Sequence, residues 1–443
     1  MKNESKKASI FELDGIPSLK QAFPLALQHV VAMIVGCVTP AILVAGVGGL
    51  SERDSVFLIQ AALVVSALTT LVQLFPFIKT KWFFIGSGLP VIMGISFAYL
   101  PSMQSIATDF DVPTILGAEI VGGCVAVLVG LFIKKIRKFF PPLVAGTVVF
   151  TIGLSLYPTA VNYMAGGTGS DTYGSWQNWL VAFITLAIVT ILNHFGKGIF
   201  KLASILIGII GGYIVSLFFG MVNFSAVSNA SVFQFPMPMH FGVKFEISSC
   251  IAIGLLFAIN SVQAIGDLSA TTSGSMDRMP TDSELQGGIV GYGITNILGA
   301  LMGGLPTATF SQNVGIVVTT KVINRCVLGL AAVILLCAGL IPKFSSLLTT
   351  IPSCVLGGAT ISVFASIAMT GMKLITSEKM TFRNTSIVGL AVALGMGVTQ
   401  ASGSLASFPD SVVMIFGKSP VVIATIVAIL LNIVLPKDKE EAK

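Results

Sequence analysis

The sequence predicts an all-α polytopic membrane protein with fourteen transmembrane segments, and three observations support that prediction. Of the 443 residues, 54% are hydrophobic and 10% are charged, whereas a soluble globular protein carries about 25% charged residues. Apolar stretches of roughly 17 to 25 residues, long enough to cross a bilayer, recur from residue 22 to residue 436. The basic residues collect in alternate loops between these stretches.

The predicted segments are separated by mostly short loops. They cover about residues 22–46, 54–75, 84–100, 113–134, 142–160, 177–195, 199–220, 247–272, 285–303, 305–321, 325–345, 351–373, 384–403 and 419–436. With a cytoplasmic N-terminus, all but four of the 25 Lys and Arg residues fall in cytoplasmic segments, as the positive-inside rule describes. Both termini are therefore predicted to be cytoplasmic. The net charge of +6 then indicates topology and not nucleic-acid binding.

Segments three and ten are unlike the others. "FFIGSGLPVIMGISFAYLP" (83–101) and "MGGLPTATFSQNVGIVVTTK" (302–321) each contain Gly-Leu-Pro, at residues 88–90 and 304–306. Proline removes a backbone donor and glycine weakens a helix. Unpaired backbone is tolerated at membrane depth only where protein or a watery cavity surrounds it. Both segments are therefore predicted to be broken, first extended and then helical, and to line a site.

Repeated patterns predict two halves of opposite orientation. The two Gly-Leu-Pro segments lie seven spans apart, and so do "PPLVAGTVVFTIGLSL" from Pro141 and "IPSCVLGGATISVFAS" from Ile351. Because seven is odd, the second half must be inverted in the membrane. Transporters with a central site at the repeat interface use inverted repeats of this kind.

The cysteines and histidines do not predict a metal site. The six cysteines are scattered without a C-x-x-C pair, and the three histidines are far apart in the sequence. Buried cysteines without such spacing are typical small packing residues. No metal and no cofactor is predicted.

Segment eight carries an acidic residue inside an apolar run. Asn260, Gln263 and Asp267 are spaced i, i+3, i+7 and share one helix face. A carboxylate within a membrane span indicates a functional site, because its burial is costly unless it faces a cavity or a partner. The alternative is that Asp267 lies near the cytoplasmic end and is capped by Ser269, Thr271 or Thr272.

Other polar residues within the spans have a structural interpretation. Glu119, early in segment four, is interpreted as reaching the outer interface and complementing the helix dipole, in preference to a functional role. Gln28 and His29 lie in the first span, and a packing role for the histidine is favoured over ligand contact.

The amides of segment ten predict the chemistry of the ligand. Gln312 and Asn313 both donate and accept hydrogen bonds, and they lie on a broken crossing opposite another that carries Phe97. An aromatic ring on such a segment offers a stacking surface to a flat ligand. The predicted ligand is flat and neutral, with N–H beside C=O along its edge.

The run "QNVGIVVTTK", Gln312 to Lys321, resembles the signature of the nucleobase-ascorbate transporter family, which includes bacterial uracil and xanthine permeases. The Gln28-His29 pair, "GSGLPVIMGISFAYL", "FFPPLVAGTVVFTIGLSL" and "TTIPSCVLGGATISVF" are similar to the family's first, third, fifth and twelfth segments. The resemblance therefore covers the whole chain.

That resemblance implies the domain organisation. It implies a core domain of residues 22–135 and 247–346 (spans 1–4 and 8–11) and a gate domain of residues 136–222 and 347–436 (spans 5–7 and 12–14). Tails would cover residues 1–21 and 437–443. It also implies a homodimer in the plasma membrane and an elevator-like movement of core against gate.

The resemblance also implies the site residues. Those expected at the substrate are Ser96, Phe97, Gln263, Ser311 and Gln312. Those expected to support the site or its coupling to H⁺ or Na⁺ are Gln28, His29, Asn260, Asp267 and Asn313. Gln312 is similar to the glutamine of the purine branch, where uracil permeases carry glutamate, so xanthine or urate is favoured over pyrimidines.

The sequence departs from the family in segment eight, where Gln263 replaces the usual glutamate. An amide offers a donor and an acceptor where a carboxylate only accepts, and Asp267 is then expected to load the coupling ion. The acid of some ninth segments is also absent, with Tyr292 at about that place. A pyrimidine permease, an uncoupled facilitator, an ascorbate carrier and an anion carrier of the same architecture stay open as alternatives. No motif of a hydrolase or metalloenzyme is present, so an enzyme is not predicted.

Overall fold

The computed structural model describes residues 9–76, 78–79, 84–133, 141–401 and 403–436. The helices in these ranges are α1 (Leu19–Val47), α2 (Glu52–Leu74), α3 (Leu100–Asp109), α4 (Val112–Leu131), α5 (Pro142–Ser155), α6 (Tyr157–Met164), α7 (Trp176–Phe195), α8 (Ile199–Leu202), α9 (Ser204–Phe218), α10 (Ser225–Asn229), α11 (Ile247–Ser275), α12 (Asp282–Leu301), α13 (Ser311–Thr320), α14 (Arg325–Gly339), α15 (Pro342–Thr349), α16 (Ser353–Thr376), α17 (Phe382–Gln400), α18 (Asp410–Gly417) and α19 (Pro420–Val434). The strands are β1 (Ile78–Lys79), β2 (Phe84–Ile85), β3 (Met93–Ile95) and β4 (Thr307–Thr309), and a 3₁₀ turn covers Phe97–Tyr99.

The helices confirm a multi-pass membrane protein. Within the described ranges, eight helices or helix pairs are long and apolar enough to cross a membrane, and α14 with α15 makes a ninth if that pair is one span. Fourteen crossings stay a prediction. The expected segment 325–345 is not one helix, because α14 and α15 meet at an angle of 79°. Pro342 begins α15, where its missing N–H and fixed φ suit the first turn of a new helix.

Parts of the predicted domain boundaries lie outside the described residues. These parts are residues 1–8 of the N-terminal tail, the boundary at 135–136 and the C-terminal tail 437–443. The domain assignment stays a prediction.

The two unusual segments meet as paired strands inside the helical bundle, which confirms that both are extended first and helical afterwards. β3 and β4 are antiparallel, with Gly94 opposite Ala308. The ladder is extended by bonds from the Ser96 nitrogen to the Pro306 carbonyl (3.0 Å) and from the Phe310 nitrogen to the Ile92 carbonyl (2.9 Å). The 3₁₀ turn and α3 follow β3, and α13 follows β4.

Side chains of neighbouring helices complete the hydrogen bonds of this non-helical backbone. The Met93 nitrogen donates to the Thr70 hydroxyl at 2.9 Å, and the Thr307 nitrogen donates to the Asn296 side chain at 2.7 Å. The Ser87 nitrogen donates to the Gln73 side chain at 3.0 Å. Thr70, Gln73 and Asn296 are all buried. The polar residues of α2 and α12 thus replace the bonds that an unbroken helix would have made for itself.

The helices pack in two groups. In one group, α4 packs against α11 and α12, and α2 packs against α1 and α14. In the other group, α16 packs against α5, α6 and α7, and α19 packs against α5 and α17.

Glycines permit the close crossings between these helices. A Cβ at Gly371 of α16 would lie 2.2 Å from the Phe150 nitrogen, and one at Gly153 of α5 would lie 2.4 Å from the Ala368 nitrogen. Small residues at helix crossings are typical of membrane bundles.

We predict that Gly371→Ala destabilises the protein, because the added methyl group would overlap the backbone of α5. Overpacking of this kind costs about 1–3 kcal/mol, so the melting temperature in detergent should fall. Gly389→Ala is the control, since a Cβ at that position of α17 has no neighbour within 4 Å. Equal melting temperatures for the two variants would contradict the α5–α16 packing.

Candidate functional site

A cavity of about 390 Å³ lies where the two broken segments meet. Its wall includes residues of α1, of both broken segments, of α11 and of the second helix group. All five residues that were predicted to contact the substrate line this cavity: Ser96, Phe97, Gln263, Ser311 and Gln312. A cavity of this size is typical of small-molecule sites.

The third segment supplies an aromatic ring to the cavity wall. Phe97 opens the 3₁₀ turn that follows β3, and the Ser96 side chain caps that turn by accepting a bond from the Ala98 nitrogen at 3.2 Å. The Phe97 ring is 8% exposed and contacts the Phe364 ring of α16 edge-on, with centroids 5.3 Å apart. The ring is therefore fixed between the two helix groups.

The tenth segment supplies the start of a helix. Ser311 and Gln312 occupy the first turn of α13, and both are exposed. The N-terminus of a helix carries partial positive charge and free N–H groups. With Gln263 from α11, the wall presents amide donors and acceptors together with a helix N-terminus that favours a carbonyl oxygen or an anion.

Asp267 lies behind this wall. Its carboxylate accepts hydrogen bonds from the Thr309 hydroxyl and from the Ser311 hydroxyl, the latter at 2.8 Å. Asp267 is 9% exposed, and it does not line the cavity itself. The alternative that Ser269, Thr271 or Thr272 caps this carboxylate is wrong, because the carboxylate accepts from Thr309 and Ser311. The Thr271 and Thr272 hydroxyls donate to main-chain carbonyls instead. The carboxylate instead ties α11 to the tenth segment.

Asn313 and His29 form a support behind the wall. The Asn313 amide donates to the His29 ring nitrogen Nδ1 at 3.1 Å and to the His29 carbonyl at 3.2 Å. Both residues are 1% exposed, and His29 does not line the cavity. Gln28, the preceding residue, is half-buried and lies outside the cavity wall. These contacts fix α13 against α1.

Asn260 and Glu119 both lie away from the cavity wall. Asn260 is buried and donates to the Leu256 carbonyl at 3.2 Å. Glu119 is 0% exposed, so the expectation that it reaches the outer interface is wrong. Its helix begins seven residues earlier at Val112, which places the carboxyl well inside the bundle.

Sequence reasoning missed several residues of the site. Thr309 and Phe310 both line the cavity, and Thr309 holds Asp267. Phe310 packs so closely on α1 and β3 that a Cβ at Gly36 or Gly94 would lie within 2.7 Å of its ring. The opposite wall, with Thr360 and Ser366 of α16, was also missed. Its small polar residues at helical spacing were the available signal.

The two helix groups touch at one end of the molecule. Beyond the cavity, the Ser102 hydroxyl of α3 donates to the hydroxyl of Ser419, the N-cap of α19, at 3.2 Å. The Thr159 hydroxyl of α6 donates to the Gln104 side-chain oxygen of α3 at 3.3 Å. Lys418 also pairs with Asp109 at 3.1 Å. In the opposite direction the cavity wall continues to Asn193, Lys201 and Thr370.

Comparison with known proteins identifies the family. The family model described as Permease family (Xan_ur_permease) matches residues 20–403. The chain belongs to this family. The resemblance to nucleobase-ascorbate transporters is thereby confirmed, and the protein is a permease and not an enzyme.

The sequences of individual relatives match the permease along nearly its whole length. It is 34% identical to the xanthine permease of Bacillus subtilis, covering 93% of this chain and 92% of that one. It is 35% identical to uric acid permease PucK of the same organism, over 93% and 95%, and 31% identical to xanthine permease XanQ of Escherichia coli K12, over 98% and 95%.

Solved structures share the fold of the permease. The transmembrane domain of the cyanobacterial bicarbonate transporter BicA matches with a TM-score of 0.60 at 15% identity, over 93% of this chain and 98% of that one. SLC26A9 matches with a TM-score of 0.62 at 11% identity, over 94% and 65%. At these identities the match shows the fold alone.

We predict that Thr309→Val destabilises the permease, because it removes a hydrogen bond to the buried Asp267 carboxylate. Such bonds contribute about 1.5–3 kcal/mol, which should appear as a lower melting temperature in detergent. Thr319→Val is the control, since the exposed Thr319 hydroxyl bonds only the Gly315 carbonyl of its own helix. The loss should shrink when Asp267 is already replaced by Asn; an unchanged loss in that background would contradict the assignment.

Proposed function

We propose that this permease transports purine nucleobases, with xanthine or urate as the preferred substrate and guanine and hypoxanthine as further candidates. The observation that carries the proposal is that Phe97, Gln263 and Gln312, from three separate elements, line one cavity. Relatives named as xanthine and uric acid permeases, 31% to 35% identical, support it.

The chemistry of the cavity wall supports an oxidised purine. Xanthine and urate carry N–H beside C=O along more than one edge, and a glutamine amide can pair with such an edge by two hydrogen bonds. The N-terminus of α13 favours a carbonyl oxygen or the anion of urate. Phe97 offers its ring to the flat face of the base.

Uptake of radiolabelled xanthine into proteoliposomes, competed by unlabelled urate, guanine, hypoxanthine and uracil, tests this proposal. Xanthine and urate should compete most strongly. Competition by uracil alone would favour the pyrimidine alternative, and no saturable uptake of any base would contradict the proposed function.

The transport cycle that we propose is an elevator movement of the core (α1–α4 and α11–α15) against the gate (α5–α9 and α16–α19). The antiparallel pairing of β3 with β4 supports two inverted halves of seven spans each, fourteen in total. The positive-inside pattern favours cytoplasmic termini in the plasma membrane. Lys201 at one end of the cavity wall would then lie on the cytoplasmic side, so the structure would be open inward. A homodimer is part of the proposal.

We further propose that transport is coupled to H⁺ or Na⁺ through Asp267. The Asp267 carboxylate accepts a hydrogen bond from the Ser311 hydroxyl, and Ser311 also lines the cavity. A change in the charge of Asp267 would therefore act on the substrate through the Ser311 side chain. An acid at this depth is a candidate for ion binding in transporters.

We predict that Gln263→Glu changes which base is preferred, because the carboxylate accepts hydrogen bonds but does not donate. A base that presents a carbonyl to this position would lose the hydrogen bond donated by the glutamine amide and would face a carboxylate that cannot donate, which corresponds to about a tenfold or larger shift in relative affinity. The measurement is the competition profile of xanthine, urate, guanine and uracil. Gln400→Glu, at the exposed end of α17, is the control. Identical profiles for Gln263→Glu and wild type would count against contact between this side chain and the base.

We predict that Asp267→Asn abolishes concentrative uptake. The wild type should accumulate substrate about tenfold per coupled ion for each tenfold ion gradient, and the variant should only equilibrate it. Asp171→Asn, in an exposed loop, should behave as wild type. Full ion-driven accumulation by Asp267→Asn would rule out coupling through this residue. Equilibration by the wild type itself would indicate an uncoupled facilitator.

A further inference from the structure

A second carboxyl is buried in the bundle without any bonded partner. Glu119 of α4 is 0% exposed, and among the described residues neither of its side-chain oxygens has a hydrogen-bond partner. Asp267, in contrast, accepts bonds from two hydroxyl groups. An ionised carboxylate without partners is far more costly to bury than a neutral carboxylic acid. The packing seen here therefore requires Glu119 to be neutral.

The helices around Glu119 pack closely against one another. A Cβ at Gly122 would lie 2.2 Å from the Phe257 ring of α11, and one at Gly123 would lie 2.6 Å from Ile297 of α12. A Cβ at Gly299 of α12 would lie 3.8 Å from a Glu119 carboxyl oxygen. Three helices thus close around the side chain. A sodium ion would need several oxygen ligands at this point, whereas a proton needs only the carboxyl.

Polar groups lie on the elements packed around Glu119 and the cavity. The Tyr99 and Tyr292 hydroxyls are hydrogen-bonded to each other. Both rings pack on the Phe257 ring, with centroids 4.9 Å and 5.3 Å from it, and a Cβ at Gly122 of α4 would lie 2.2 Å from that same ring. Tyr99 belongs to the same 3₁₀ turn as Phe97.

Asn260 lies on α11, one turn from Phe257 and one turn from Gln263 in the cavity wall. Its side-chain oxygen has no bonded partner among the described residues.

The other ionisable groups on the elements around α4 do not neutralise a charge on Glu119. The Tyr99 and Tyr292 hydroxyls bond each other, and their rings pack on Phe257. Lys244 approaches Gly117 with its main-chain carbonyl, while its ammonium group pairs with Asp111. Asp267 lies seven residues beyond Asn260 on α11, about 10 Å along the helix. Glu284 is at the start of α12 and pairs with Arg278. None of these provides Glu119 with a counter-ion.

We infer that Glu119 is a proton-binding site of the core, which exchanges its proton with the substrate cavity by way of Asn260 and the Tyr99–Tyr292 hydroxyl pair. A leucine or methionine would fill the same space without the penalty of a buried acid, so packing alone does not account for a glutamate here. The inference rests on the proposed transport function and deepens it, because it specifies the proton as the coupling ion and makes Glu119 necessary for coupling together with Asp267. Substrate binding and proton loading then involve different residues of one rigid unit.

The test uses the full-length protein in proteoliposomes, with wild type, Glu119→Gln and the exposed control Glu52→Gln compared. Two assays are run on each: exchange of radiolabelled for unlabelled xanthine without an ion gradient, and accumulation of xanthine driven by a proton gradient or, separately, by a sodium gradient. Wild type and Glu52→Gln should accumulate about tenfold per proton for each unit of pH gradient. Glu119→Gln should retain exchange, while its proton-driven accumulation ratio falls to about 1, the value at equilibrium with no coupled ion.

The outcomes separate this inference from the proposed function. Proton-driven accumulation by Glu119→Gln equal to that of wild type would overturn the inference and leave purine transport intact. Accumulation by wild type under a sodium gradient alone would also overturn the inference and leave purine transport intact. Absence of both exchange and accumulation in wild type would overturn the proposed function, and the inference with it.

Infrared spectroscopy gives a readout that does not depend on transport or on the folding of Glu119→Gln. A carboxylic acid held neutral in an apolar site shows a carbonyl stretch that carboxylates lack. We expect this band in wild type at neutral pH and also in Asp267→Asn, which removes the other buried acid. Absence of the band from both proteins would overturn the inference.

Discussion

The structure depends on the pairing of two short strands inside a helical bundle. β3 and β4 contribute three residues each, yet they determine where two helices begin within the membrane. Backbone without a helical partner must find hydrogen bonds there, since lipid provides none. The strands bond each other, and Thr70 and Asn296 bond their outer edges. A site can exist at this depth because these bonds compensate for the interrupted helices.

The pairing of β3 with β4 also determines how the residues around the cavity are arranged. Each strand ends where a helix starts, so Phe97 and the pair Ser311 and Gln312 are brought to one wall. Asp267 then joins α11 to the tenth segment through two hydroxyls, and Asn313 joins α13 to α1. This part of the cavity wall is thus built on elements of one helix group, while Thr360 and Ser366 come from the other. This division agrees with the proposed movement of one group against the other.

Much of this arrangement is predictable from the sequence, because proline and glycine act locally. Gly-Leu-Pro at two places predicts both broken segments, and the amides after the second predict a polar wall. The partners of Asp267 were not predictable, since Thr309 lies 42 residues away and only the folded pairing brings them together. The position of Glu119 was misjudged for a related reason. Its depth depends on the close crossings of α4 with α11 and α12, which single-sequence patterns do not encode.

We propose that two interrupted crossings present amides and an aromatic ring to a planar base. The decisive measurement is a structure of the full-length protein with xanthine bound. We expect the base in the cavity between β3 and α13, with its face on Phe97 and its edges within hydrogen-bond distance of Gln263 and Gln312. Xanthine bound elsewhere, or bound in this cavity with those three side chains out of contact, would contradict it.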